Sequence, residues 1–254
     1  MDAIERGWAL LAAARWDKAI ATFDRVLARS SGRTVRAHVG RAVALRLVGR
    51  VDEALDDLNA AVALDPQDAL AYHERGATLA SLGRDGEALR DLDRAIGIAP
   101  SAKALTDRGG VHSELGRHAE AIADLRRAIE LQPDLAEAHH NLGTTFARAG
   151  DLRSAAHCFQ RAVRLGFEPA AAPLLRARQE LFVAANDDGS WSLAVEAVLD
   201  ARSIADLEEA LERFPFMALP EFLDSLQNRE RLLPGPAAGA MRQRTEALRS
   251  LSRP

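Results

Sequence analysis

The sequence predicts an all-α chain: an α-solenoid of about five helix pairs closed by a helical C-terminal cap. Three observations carry this expectation. The dipeptides Ala14-Arg15, Gly49-Arg50, Gly83-Arg84, Gly116-Arg117 and Gly150-Asp151 follow one another at separations of 35, 34, 33 and 34 residues, a self-similarity that marks stacked repeats. Other positions keep the same register. Five residues after each marker stands an alanine (Ala19, Ala54, Ala88, Ala121, Ala155), and four further on a large apolar residue (Phe23, Leu58, Leu92, Leu125, Phe159). Seven residues before each marker stands a small residue: Gly7, Ala42, Gly76, Gly109 or Gly143. Finally, Pro66, Pro100 and Pro133 fall where a second helix must stop, because proline lacks the N–H and clashes with the preceding turn.

The elements follow in order. Five units are expected at about 1–33, 34–68, 69–101, 102–135 and 136–167, each of two helices. A small residue on the first helix and alanines on the second allow close approach of the axes, and the large residue fills the gap to the next pair. No unit buries its apolar face alone, so about three or more must stack. The end units differ from the inner ones: Ser30-Ser31-Gly32 closes the first and Gly166-Phe167 the fifth. After Phe167 the period fades. Pro169 and Pro173 open a helix expected to run to about Ala185, followed by a turn or linker at Asn186-Asp187-Asp188-Gly189-Ser190. Helices are then expected over Trp191–Ala201, Ile204–Arg213, Leu219 to about Arg231 and Ala237–Leu251. Ser203 with Asp206 makes a capping-box-like start, and Pro215 and Pro234-Gly235-Pro236 are the breaks. Residues 168–254 form the C-terminal extension, whose expected role is to cover Phe159 and Val163 on the last repeat helix.

The order of marks in 69–100, with Tyr72, Gly76, Leu79, Gly83, Ala88, Leu92, Ala95 and Pro100, resembles the tetratricopeptide repeat, and all five units carry four or five of these marks. The resemblance implies a right-handed superhelix with a concave groove lined by the first helices, and a role in binding other proteins. It also implies which residues face the groove. These are Ile4, Trp8 and Leu11, with Met1, in the first unit; Arg36, Val39, Val43 and Arg46 in the second; His73 and Glu74 in the third; Lys103 and Asp107 in the fourth; and Glu137, His140, Asn141, Thr144 and Arg148 in the fifth. The lysine–asparagine–arginine clamp that some family members use for chaperone tails is absent from every set of three successive units. The segment from Asp206 to Leu251 resembles a helical module found after such repeats in bacterial proteins, some associated with CHAT peptidases. An accessory or regulatory role in a CHAT-type peptidase system is therefore a second reading.

Composition narrows the functional classes. The formal charge of -4 leaves no nucleic-acid footprint. Residues 1–50 carry 10 basic against 4 acidic residues and 51–167 carry 13 against 19, a gradient able to orient a partner. The apolar run near the start is interrupted by Arg15, Asp17 and Lys18, short of the roughly 18 apolar residues that a membrane span needs. A lone Cys158 permits no internal disulfide. A cytoplasmic protein is expected, and 31 arginines to two lysines point to a GC-rich bacterial genome. The adjacent His139 and His140 have no histidine or cysteine at helical spacing to complete a metal pair, and no acid–base set has catalytic spacing. The expectation is a non-enzymatic scaffold or adaptor without cofactor, metal, nucleic acid or membrane. Its partner would be a protein or peptide segment, apolar against the N-terminal repeats and basic toward Glu74, Asp107 and Glu137. Alternatives are a groove filled by water or by the chain's own tail, and a homodimer through the N-terminal repeat.

Overall fold

The free backbone donors of several helix starts are met by short polar side chains. Asp2 accepts from the Glu5 N–H while Glu5 reaches back to the Asp2 N–H, a capping box. Asp68, Ser101 and Asp151 accept from the N–H groups of Ala71, Ala104 and Ser154. The marker residues are the other ends of the first helices. Gly49, Gly83, Gly116 and Gly150 hold φ between +70° and +86°, and the next N–H turns back to the helix, as from Arg50 to the Leu45 carbonyl and from Arg84 to that of Leu79. In the first pair this left-handed position falls to Ala14, at φ 52°.

The computed structural model describes residues 2–32, 34–188, 190–201, 204–230 and 235–252. They form α1 (Ala3–Ala12), α2 (Trp16–Arg29), α3 (Val35–Leu47), α4 (Val51–Leu64), α5 (Ala69–Ser81), α6 (Asp85–Ile98), α7 (Ala102–Glu114) and α8 (His118–Leu131). Then come α9 (Ala136–Arg148), α10 (Leu152–Arg164), α11 (Ala171–Asp188), α12 (Ser190–Asp200), α13 (Ile204–Arg213), α14 (Pro220–Glu230) and α15 (Gly235–Leu251), with short 3₁₀ turns at Glu168–Ala170 and Pro215–Ala218. Two boundaries move: α15 starts at Gly235, inside the expected Pro234-Gly235-Pro236 break, because proline is tolerated in the first turn of a helix, and α11 runs to Asp188, past the expected end near Ala185. Asn and Asp each cost only about half a kcal/mol in a helix relative to alanine, and no breaker precedes Gly189. Met1, Gly189, Ser203 and Pro234, named above as a groove position, part of a linker, a cap and a break, lie outside the described residues.

The chain divides into two compact units, Met1–Leu115 and Gly116–Pro254. In the first, α1 to α7 pack each on the next, and α1, α3, α5 and α7 also neighbour one another, so the first helices share one side. The register residues build its core. Phe23 is fully buried, and a Cβ placed on Gly7 or on Gly40 would fall 2.5 Å or 2.3 Å from its ring. That ring is why both flanking helices carry glycine there. Leu92 against Gly76 repeats the arrangement with a smaller side chain.

In the second unit α8, α9, α10 and α11 pack in sequence. Phe159 excludes a Cβ from Gly143, and its cluster with Ala155, Ala156 and Ala162 is completed by Ala170, Leu174 and Ala177. Thus α11 covers the last repeat helix. The remaining helices and the C-terminal part of α11, with Ala185, gather around a second core, in which Met217, Phe222, Leu226, Met241 and Leu248 are fully buried. None of the helices among the described residues is long and apolar enough to cross a membrane.

Candidate partner-binding face

On the shared side of α1, α3, α5 and α7, helical spacing sets which side chains point outward. Ile4, Trp8 and Leu11 follow one another at four and three residues, so they stand on one face of α1. They are partly exposed and rest on the core of the first unit. Trp8 meets Phe23 edge to face, with centroids 6.1 Å apart, which fixes the indole plane. On α3, Val43 and Arg46 are partly exposed, while Arg36 is exposed near the helix start. Val39 is not: it is 1% exposed, a core residue. The expectation for Val39 is corrected, because Gly40 beside it lets Phe23 draw this turn of α3 close.

The first helices that follow α1 carry a chain of charged groups drawn from three of them. Arg46 Nη2 donates to Glu74 Oε2 at 3.0 Å, Glu74 Oε1 lies 3.7 Å from His73 Nδ1, and His73 Nε2 donates to Asp107 Oδ2 at 2.6 Å. All four were expected in the groove, and the fold brings them together from α3, α5 and α7. Their access differs. The Glu74 side chain is 15% exposed and that of Asp107 31%, so Asp107 is the carboxylate more open to a visitor. Lys103 is exposed one turn before it.

The fifth-pair residues lie in the second unit. Glu137 and Arg148 are exposed, Asn141 and Thr144 half-buried, and Thr144 Oγ1 donates back to the His140 carbonyl. His140 sits against Phe159 and Phe167, with ring centroids 5.5 Å and 5.1 Å away. Burial lowers its proton affinity. It is a packing residue of an aromatic cluster more than an open contact.

A second repeating set went unread in the sequence. Arg41 on α3 grips Asp57 on α4 with Nε and Nη2 at 2.7 Å and 2.6 Å, and reaches back to Asp24 on α2 through Nη1. Arg75 on α5 does the same with Asp91 on α6 and Asn59 on α4, and Arg108 on α7 reaches Asp93 on α6. Each guanidinium stitches neighbouring helices, and the bond to Asp57 holds Arg41 protonated more firmly than usual. His38 extends the set by bridging Asp57 and the Gly32 carbonyl, both at 2.8 Å. The signal was available: Arg41, Arg75 and Arg108 are 34 and 33 residues apart. In the fifth pair the same two stations hold Leu142 and Cys158, buried in one apolar cluster. Burial pushes the Cys158 thiol up to about 11, away from the reactive thiolate. Among the described residues no group of three or more His, Cys, Asp or Glu side chains is placed to hold a metal ion.

Comparison with known proteins agrees with this construction. Family models of the tetratricopeptide repeat match residues 4–69, 49–103 and 100–165. Comparison with curated proteins gives no match. Among solved structures, TTC0263 of Thermus thermophilus, described as a thermophilic TPR protein, is 25% identical with a TM-score of 0.60. That match covers 71% of this chain and 97% of that one. PilW, described as a type IV pilus biogenesis factor, is 18% identical with a TM-score of 0.61, over 93% and 95% of the two chains. YrrB, described as a TPR protein with an unusual peptide-binding site, is 22% identical with a TM-score of 0.53, over 70% and 90%. These similarities place the fold in the all-α solenoid class.

Proposed function

We propose, from the premise that this chain belongs to the tetratricopeptide repeat family, that it is a non-catalytic scaffold or adaptor receiving a segment of another protein on the first-helix face of its first unit. One observation carries the reading. A partly exposed apolar triad, Ile4, Trp8 and Leu11, stands on α1, and the chain Arg46–Glu74–His73–Asp107 starts on its neighbour α3, so apolar and ionic recognition are offered by successive first helices. Binding segments usually combine a large apolar anchor with charges at the rim. The segment that fits carries apolar side chains for α1 and a basic one for Asp107. Glu74 is already held by Arg46, and Asp107 keeps the larger open edge. A peptide-binding site is described for one protein of the same fold. A cytoplasmic setting suits such a role.

The test is affinity capture with the full chain as bait, followed by titration of the captured partner. Trp8→Ala removes the anchor and is expected to weaken binding by about 30-fold or more, the loss of a hot spot of about 2 kcal/mol. Asp107→Lys reverses the charge and should weaken it by a smaller factor that shrinks in high salt. Undiminished binding by both variants, each still melting cooperatively, would remove this face from consideration.

A further inference from the structure

Arg178, on α11, is 8% exposed. It lines a cavity of about 140 Å³ between α10 and α11, together with Gln160, Val163, Arg164, Leu174 and Ser252. Its Nη2 donates to Gln160 Oε1 at 2.9 Å, and its buried Nε has no partner among the described residues. No carboxylate lines this cavity among the described residues. Glu208 and Glu212 line a second cleft, which Gln160 and Arg164 also border. A buried charge without a counter-ion is costly, by several kcal/mol even after relaxation.

The chain's own repeats show what such a guanidinium takes. Gln160 stands ten residues after Gly150, as Asp24 and Asn59 stand ten after Ala14 and Gly49. Arg41 and Arg75 reach back to those two residues with Nη1, and Arg178 reaches back to Gln160 with Nη2. Both also hold a carboxylate, Asp57 or Asp91, with the Nε and Nη2 edge. Arg178 has the backward contact and lacks the carboxylate.

We propose that the cavity between α10 and α11 is a carboxylate-binding site, recognised by the guanidinium groups of Arg178 and Arg164 that line it. The occupant is an aspartate or glutamate side chain of an acidic partner segment. Val163 and Leu174 offer apolar walls for its short stem, and a volume of about 140 Å³ holds a carboxylate with room to spare for water at about 30 Å³ each. Burial, with Arg164 nearby, brings Arg178 down to about 10, so at neutral pH the group is still charged and in need of an anion. The site belongs to the second unit and does not depend on the proposal made for the first-helix face.

The test is the Arg178 Nε–H resonance of the full-length ¹⁵N-labelled protein, assigned with Arg178→Lys and titrated with sodium acetate. A saturable downfield shift with a dissociation constant of order 10 mM, weakened several-fold by Arg164→Gln, is expected. Acetyl-glutamate amide should bind at least as well as acetate. A lack of saturation, an equal response to sodium chloride at matched ionic strength, or a response to phosphate alone would overturn the proposal. Arg178→Met gives a second readout, since the acetate-dependent rise in melting temperature seen in the parent should vanish. A rise retained in that variant would equally overturn it.

Discussion

At Ala14 a residue with a Cβ adopts the left-handed conformation that the later helix pairs give to glycine. That conformation costs an L-residue about 1–2 kcal/mol, while glycine gives back about 0.4–1 kcal/mol through its freer unfolded chain. Ala14→Gly is therefore expected to stabilise the protein by roughly 0.5 kcal/mol, and Gly83→Ala to destabilise it, read as melting shifts of opposite sign. His140 gives a pH dependence. Its folded-state proton affinity is lowered by burial, so the unfolded chain binds the proton more readily. The stability this ring contributes is whole above the ordinary imidazole range and is lost as pH falls through it. A His140→Leu variant should keep more of its neutral-pH stability at pH 5 than the parent does, and urea melts at the two pH values measure this. The alternation of small and large residues made Phe23 and Gly7 legible as partners. It did not expose Val39 as core, because a valine on a first helix reads alike whether it faces the groove or the neighbouring helix.

Among the elements, the Arg–Asp stations explain how first and second helices keep register. Asp91 takes both Nε and Nη2 of Arg75, and removing it leaves a largely buried guanidinium unpaired. Asp91→Ala should cost roughly 3 kcal/mol. The fifth pair supplies the control, since Leu142 and Cys158 fill the same stations with apolar contact. Arg75→Leu combined with Asp91→Cys should therefore lie within about 1 kcal/mol of the parent, and chemical denaturation of the two variants distinguishes pair-breaking from pair-replacement. Periodicity in the sequence contained this set. Charged residues at a helical period read first as a solvated face, and only the packing of α2 to α6 buries Asp57 and Asp91.

For the whole molecule, the decisive C-terminal event is the docking of α11 on α10. Leu174 and Ala177 join the cluster of Phe159 and Ala162. A chain ending at Gly166 would expose that surface, and a cooperative melt several degrees lower, with binding of a hydrophobic dye, is expected from the loss of a few kcal/mol of burial. Unchanged melting and no dye binding would show that α11 contributes nothing to the repeats. The cap was foreseen because Phe159 and Val163 needed cover. The second core, built mainly by α12 to α15, was not, since its Phe216, Met217, Phe222 and Met241 come from three short segments with no common period.

The sequence alone determined the repeat, its five-fold register and nearly every helix end. These depend on residues close in the chain: a left-handed glycine after a first helix, a proline after a second, an alanine where two axes meet. Tertiary structure decided what happens between residues about 16 to 34 apart, such as Arg41 with Asp57, Arg46 with Glu74 and His73 with Asp107. It also decided which charge was left alone. Arg178 reads in the sequence as one more arginine on a polar helix face, and only the closure of α11 over α10 removes its water without supplying a carboxylate. Local propensities set where a helix begins and stops, but the environment of a side chain depends on a neighbouring helix whose approach no local pattern encodes.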